Sequence, residues 1–360
     1  MEMLRFRAWP RRVVAALAVV CVCAVVPGCT RQRVAPYRPG APLAAVLAAS
    51  GDGSQVVVID LEAATVVRRV ALRSFATDIG FDSETGLVVS AQAGGVGPEA
   101  DDVVGVIDPR RGNVDYVRLR RPNPGGVVCL DGRAYVLHGW IDEGGQYVSV
   151  VDLARRTVST ERRVADGAGM WNAAAGLIWT TAAGPAGTGL VSVAPSTFAT
   201  RVIESPEPPN AVVATGAAVY LLGGRAITPL EPARASIARI EPDTGAVLRE
   251  SSPAGLRHGA VRGAVAGDTL AVIDWIGEDP ESGTIALLSS ESLAPRGEVR
   301  VDGVPCSLGG WGRTVVAVDR RLGRLMLIDT DTRRVRSWID LGTGALIHAD
   351  VEVIPAARTP

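Results

Sequence analysis

Residues 56–70 read VVVIDLEAATVVRRV: an apolar, β-branched run ending on Asp60, a short polar turn, then a second β-rich run. Two such runs joined by a few turn-forming residues are the signature of a hairpin. The same phrase recurs as VGVIDPRRGNVDYVRL at 104–119 and VSVVDLARRTVSTERRV at 148–164. It returns as LVSVAPSTFATRVI at 190–203 and IARIEPDTGAVLRE at 237–250. The last copies are IALLSSESLAPRGEV at 285–299 and LMLIDTDTRRVRSWI at 325–339. Aligned on the residue that closes the first run, the seven copies fall at Asp60, Asp108, Asp152, Ala194, Glu241, Ser289 and Asp329, at intervals of 48, 44, 42, 47, 48 and 40.

Between these hairpins lie further strand pairs, DIGFDSETGLVVSA (78–91), GVVCLDGRAYVLHG (126–139), AVVATGAAVYLLG (211–223) and LGGWGRTVVAVD (308–319), each turning at a glycine. A period near 45 built only of strand signals is one four-stranded blade, A to D. Seven copies therefore predict an all-β, seven-bladed β-propeller. The first copy opens on a strand B, APLAAVLAAS (41–50), and lacks a strand A, whereas ALIHADVEVIP (345–355) follows the seventh hairpin. Placing that last strand in the first blade joins the ends and removes two open sheet edges. The acidic residue closing strand C is expected to accept hydrogen bonds from the turn amides that follow it.

This pattern resembles the YVTN-type propeller repeats of bacterial surface and periplasmic proteins, in which a V-x-V-I-D-x-x-T-x-x-V hairpin recurs with a P-x-G-x-A-x-x-x-D-G-x-x-x-Y-V hairpin. The resemblance runs over about residues 42–354, and Ala194 and Ser289 depart from its Asp.

Ahead of the repeats stand Arg5, Arg7, Arg11 and Arg12, an uncharged run from Val13 to Val26, then Pro27, Gly28 and Cys29. Residues 1–28 read as a signal peptide, with an apolar run too short for a permanent span. Val26-Pro27-Gly28-Cys29 resembles a lipoprotein lipobox, with Pro27 a departure from its usual pattern. That resemblance implies lipidation of Cys29 and a mature chain anchored at the outer surface of a membrane in the cell envelope. Residues 29–41 are expected to be a lipidated tether and 42–355 the propeller.

Apolar residues are 47% of the chain and charged ones 21%, enough to bury a large core, and removing residues 1–28 takes the formal charge from −1 to about −4, which argues against a nucleic-acid partner. A monomer is expected. Cys129 and Cys306 fall in strands A of blades three and seven, too far apart around a ring for a disulfide, so two free, buried thiols are expected.

In a propeller the D-to-A and B-to-C connections share one face. Here the B-to-C loops at 93–102, 139–146, 223–233 and 274–283 are long, which makes that face the expected binding surface. Trp140 beside Asp142 and Glu143, and Trp275 beside Glu278 and Asp279, set an aromatic plane against carboxylates, chemistry suited to sugars, cationic groups or peptides. The same tryptophans also read as wedges between blades. The acidic runs Glu99, Asp101, Asp102 and Glu278, Asp279, Glu281 lack calcium-loop spacing and read as solvated loops, so no metal and no cofactor is assigned. Asn123, Trp171, Asn210, His258 and His348 are expected around the channel mouth, and His138 is expected to lack a partner.

Two functions follow. One is a non-catalytic binding or assembly module that offers its top-face loops to an envelope protein, peptide or glycan. The other is an enzyme of the propeller lyase or lactonase kind, using His258, His348 and Asn210, although no G-x-S-x-G, HExxH or P-loop motif is present.

Overall fold

The structure is a computed structural model. It describes residues 34–94, 101–138, 147–164, 168–184, 187–204, 209–224, 235–253, 256, 260–274 and 282–356.

Seven four-stranded antiparallel sheets make up a seven-bladed propeller. Blade one holds β1 (Leu43–Ser50), β2 (Gly53–Asp60) and β3 (Thr65–Ala71). Blade two is β4 (Ala76–Asp82), β5 (Leu87–Gln92), β6 (Val103–Asp108) and β7 (Asn113–Arg118). Blade three is β8 (Pro124–Leu130), β9 (Arg133–His138), β10 (Tyr147–Asp152) and β11 (Thr157–Arg163). Blade four is β12 (Ala168–Ala174), β13 (Leu177–Gly184), β14 (Gly187–Val193) and β15 (Thr200–Glu204). Blade five is β16 (Pro209–Ala214), β17 (Val219–Gly223), β18 (Ser236–Ile240) and β19 (Val247–Ser251). Blade six is β20 (Ala260–Ala266), β21 (Thr269–Asp274), β22 (Gly283–Ser289) and β23 (Pro295–Val301). Blade seven is β24 (Pro305–Trp311), β25 (Thr314–Asp319), β26 (Arg324–Asp329) and β27 (Arg334–Asp340). The last strand, β28 (His348–Ile354), returns to pair with β1, from Leu43↔Ile354 to Ala49↔His348, so the ring closes as expected.

Each sheet is apolar on both faces because each face meets a neighbouring blade. Seven apolar clusters fill the seven interfaces. Strand β1 shows why its sequence lacks polar alternation: Val46 and Ala48 face blade seven beside Val316 and Leu327, while Leu47 and Ala45 face blade two beside Ile79 and Val88.

The C-to-D turns repeat one geometry. Asp60, Asp108, Asp152 and Asp329 accept turn amides at 2.7–3.1 Å, from Ala63, from Arg110 and Arg111, from Arg155, and from Asp331 and Thr332. Four residues past the strand-closing position the backbone is left-handed in every blade, at Ala64, Gly112, Arg156, Phe198, Gly245, Leu293 and Arg333. The repeated Asp is thus a turn-maker, and Ser289 substitutes by accepting Ser292 N–H at 3.2 Å.

The segment expected to be a free tether lies partly on the propeller. Ala35 N–H donates to Val66 O at 2.9 Å, and Ala35 and Tyr37 pack against the cluster between blades one and two. The Arg38 guanidinium grips Asp60 through two bonds of 2.7 Å and holds that carboxyl below its usual range. A spacer between Cys29 and the propeller therefore has fewer free residues than 29–41 implies.

Blades six and seven approach so closely that a Cβ on Gly310 would lie 1.9 Å from Val265 O, a backbone atom that cannot step aside, whereas one on Gly51 would meet nothing. Gly310→Ala should lower unfolding stability by about 1–3 kcal/mol or more, and Gly51→Ala should leave it nearly unchanged, as read from urea unfolding of both variants.

Candidate functional site

The inner strands share a defect that builds the site. In six of them the pairing with strand B slips near the start, between Ala76/Asp78, Pro124/Gly126, Ala168/Trp171, Pro209/Ala211, Ala260/Arg262 and Pro305/Ser307. A bulge re-aims the residue after it. The residues after the slip are Asp78, Gly126, Trp171, Ala211, Arg262 and Ser307. Asp350 of the unbulged β28 completes this layer. Its Oδ1 accepts the Ser307 hydroxyl at 2.7 Å on the blade-seven side, and its carboxyl is hydrogen-bonded to that of Asp78 on the blade-two side. Gly126 continues the layer, since a Cβ there would sit 3.4 Å from Asp78 Oδ2.

The layer borders an axial cavity of about 360 Å³, whose walls include Asp78, Trp171, Arg262, Ser307, Asp350 and Glu352. Asp78 Oδ2 accepts Val127 N–H at 2.8 Å and its Oδ1 accepts Ile79 N–H at 3.0 Å. Burial pushes the Asp78 carboxyl well above the usual range, and the adjoining Asp350 charge adds to the shift. One turn of the pleat deeper, Glu352 is pushed up to about 8, first by burial and then by Asp350.

A second cavity of about 270 Å³ lies between blades six, seven and one, lined by Arg262, Cys306, Arg320 and His348 among others. Burial holds His348 below its ordinary value against the opposing pull of Asp350, so its ring is neutral at pH 7. The Cys306 thiol, partly rather than fully buried, donates to Val318 O at 3.5 Å and is pushed up to about 12 by burial. Cys129 is buried and is also held protonated by burial, with Asp82, Glu352 and Asp78 adding to it. Both thiols are free, as the ring geometry requires, but Cys306 is less buried than expected.

The residues expected at one mouth do not assemble there. Trp171 is 8% exposed and stands in the wall between blades three and four. The Asn210 amide donates to Gly224 O at 3.0 Å and to Ala260 O at 3.1 Å, stapling blade five to blade six. Asn123 turns the loop into β8 with φ +65°. His138, expected to be unpartnered, is instead fully engaged: Nδ1 meets Pro122 O at 2.9 Å and Nε2 meets Ser149 Oγ at 2.8 Å, with Glu161 accepting from Ser149 at 3.1 Å. Trp140, Asp142, Glu143, Trp275, Glu278, Asp279, His258 and Cys29 lie outside the described residues. Asp102 is paired with Arg118 at 2.7 Å, and no group of three or more His, Cys, Asp or Glu among the described residues is arranged to hold a metal ion.

The sequence reading missed Asp78, Asp350, Glu352 and Arg262. A signal was present in His348-Ala349-Asp350-Val351-Glu352-Val353, where three ionisable residues alternate with apolar ones on a strand that closure requires to be innermost. Period-2 polarity on a buried strand marks a polar face that cannot reach bulk solvent.

No known protein family and no curated protein matches the chain. Solved structures do resemble it in fold. Apo AztD from Citrobacter koseri is 14% identical at a TM-score of 0.54, over 88% of this chain and 99% of that one. Dihydro-heme d1 dehydrogenase NirN is 14% identical at 0.58, over 88% and 77%. BamB from Moraxella catarrhalis is 14% identical at 0.50, over 92% and 95%. These likenesses establish the propeller and nothing finer.

The raised Glu352 value makes a signed prediction. Below the unfolded carboxyl value of 4.5 both states are protonated and Glu352 has no effect; as pH rises from there to about 8 the unfolded chain ionises first and stability falls, and above about 8 the loss is complete. Asp78 acts in the same direction. The Tm of the wild-type protein should therefore decline from pH 5 to 8 more steeply than that of Glu352→Gln. Parallel slopes would place an unperturbed carboxyl at 352.

Proposed function

We propose that the chain is a binding module of the cell envelope, carried on a lipid at Cys29, that works by holding a ligand or partner on a rigid ring rather than by reacting with it. The observation that carries this reading is the state of the channel's reactive groups. Cys306 and Cys129 are held as thiols, Asp78 and Asp350 are tied to each other, to Ser307 and to backbone amides, and Asn210 is committed to two carbonyls. Such groups recognise and position. The long B-to-C loops, with Trp140 and Trp275, are the surface for an envelope protein, peptide or glycan. The anchor and the outward orientation of the domain rest on residues 1–29.

One observation favours the enzymatic alternative. His348 is kept neutral beside Asp350, the protonation state a general base requires. Fold cannot decide, because one architecture hosts both kinds of activity.

Anchoring is tested by metabolic labelling with palmitate. The wild-type chain should carry label and sediment with membranes, and Cys29→Ser should lose the label; an unlabelled wild-type chain refutes the anchor. Catalysis is tested with a panel of lactones and cyclic peptides. Turnover abolished in His258→Ala or His348→Ala would replace the binding module with the lyase or lactonase reading, while no turnover, or turnover indifferent to both changes, supports the module.

A further inference from the structure

Two polar side chains on different blades border the axial cavity without a hydrogen-bond partner among the described residues. Glu352, on β28, accepts from no donor among the described residues, although its neighbour Asp350 takes Ser307 and the Val351 amide. Trp171, on β12, is more than nine-tenths buried, lines the same cavity, and its Nε1–H has no acceptor among the described residues. A buried polar group left unpaired costs about 1–3 kcal/mol, so the unpaired indole N–H, with the half-buried Glu352 carboxyl bordering the same void, marks a place where something else supplies the partners.

The chemistry of that partner follows from the walls. Toward Glu352 the missing element is a partner for the carboxyl, and Asp350 acts on it from the same strand, so an ammonium group, which would hold Glu352 ionised, is favoured there. Toward Trp171 the missing element is an acceptor. Arg262 occupies the blade-six side of the same layer and disfavours a second cationic group. A volume of about 360 Å³ is at the small end for ligand pockets. A bare anion would face three carboxyl groups, and a bare metal ion would leave the indole unsatisfied.

We propose that the axial channel binds a small amine bearing a hydroxyl or carboxylate oxygen, its ammonium group on Glu352 and Asp350 and its oxygen accepting from Trp171 Nε1. This goes beyond the loop-face reading and stands without it: the site is built from the inner strands alone.

Calorimetric titration of the full chain in detergent tests it, with ethanolamine and glycine as probes and with ethylamine, acetate and inorganic phosphate for comparison. Saturable binding of ethanolamine or glycine is expected at up to about 10 mM ligand. Glu352→Gln should weaken it about tenfold or more, the worth of a charge-assisted bond. Trp171→Phe keeps the packed ring and removes only the N–H, so it should weaken ethanolamine or glycine while leaving the weaker binding of ethylamine, which has no acceptor, unchanged. Thermal unfolding of each variant reports whether it is folded, and Glu352→Asp and Trp171→Phe carry the test if Glu352→Gln is not. Absence of saturable binding by both probes overturns the proposal, as does binding indifferent to Glu352 and Trp171. Binding of acetate or phosphate in preference to the amines also overturns it and assigns the cavity to Arg262.

Discussion

A ring of sheets packed face to face holds together only if its first and last members meet, and here that meeting is a single strand pairing, β28 against β1. The seam has no covalent reinforcement, since both cysteines of the described residues are free and sit in other blades. What secures it is the fit of the two strands between apolar faces. Ala349 and Val351 enter the cluster shared with blade seven, and Ile354 enters the one shared with blade two. Each buried aliphatic side chain contributes about 1.5–3 kcal/mol, so losing β28 exposes parts of two interfaces together. Docking of Arg38 on Asp60 braces the same blade from outside.

The seam also makes the site. Six inner strands reach the channel through a bulge, which turns Asp78, Trp171, Arg262 and Ser307 into one layer. β28 delivers Asp350 and Glu352 without one, because it arrives from the far end of the chain and pairs with β1 in unbroken register. Closure and polarity of the channel therefore have the same origin. A chain that failed to return β28 would lose both carboxyls that face the cavity from blade one, along with the Ser307 and Asp78 contacts that order the layer.

The architecture was legible in the residues because the repeat is local. A β-branched run, an Asp that caps a turn and a second run are written contiguously, so period, blade number and even the reason for Asp60, Asp108, Asp152 and Asp329 could be read directly. Strand closure was legible from the mismatch of the two ends. The site was not, because its members lie 272 residues apart at the extreme, as with Asp78 and Asp350. A bulge of one residue decides which side chain turns inward, and slippage near Ala76 or Ala260 leaves no mark in composition. His138 shows the same limit: Ser149 and Glu161 reach it from the next two strands of its own blade, and only register reveals that they align. The amide of Asn210 has the chemistry of a channel-mouth site, yet it staples blade five to blade six.

Truncation after Gly344 with hydrogen exchange of the remaining chain tests the seam most directly. If β28 completes blade one, the amides of Leu43–Ser50 lose their protection and cooperative unfolding gives way to a broad transition. Retained protection across Leu43–Ser50, with an unchanged unfolding midpoint, would show that blade one stands without its last strand and that the ring is held closed by something else.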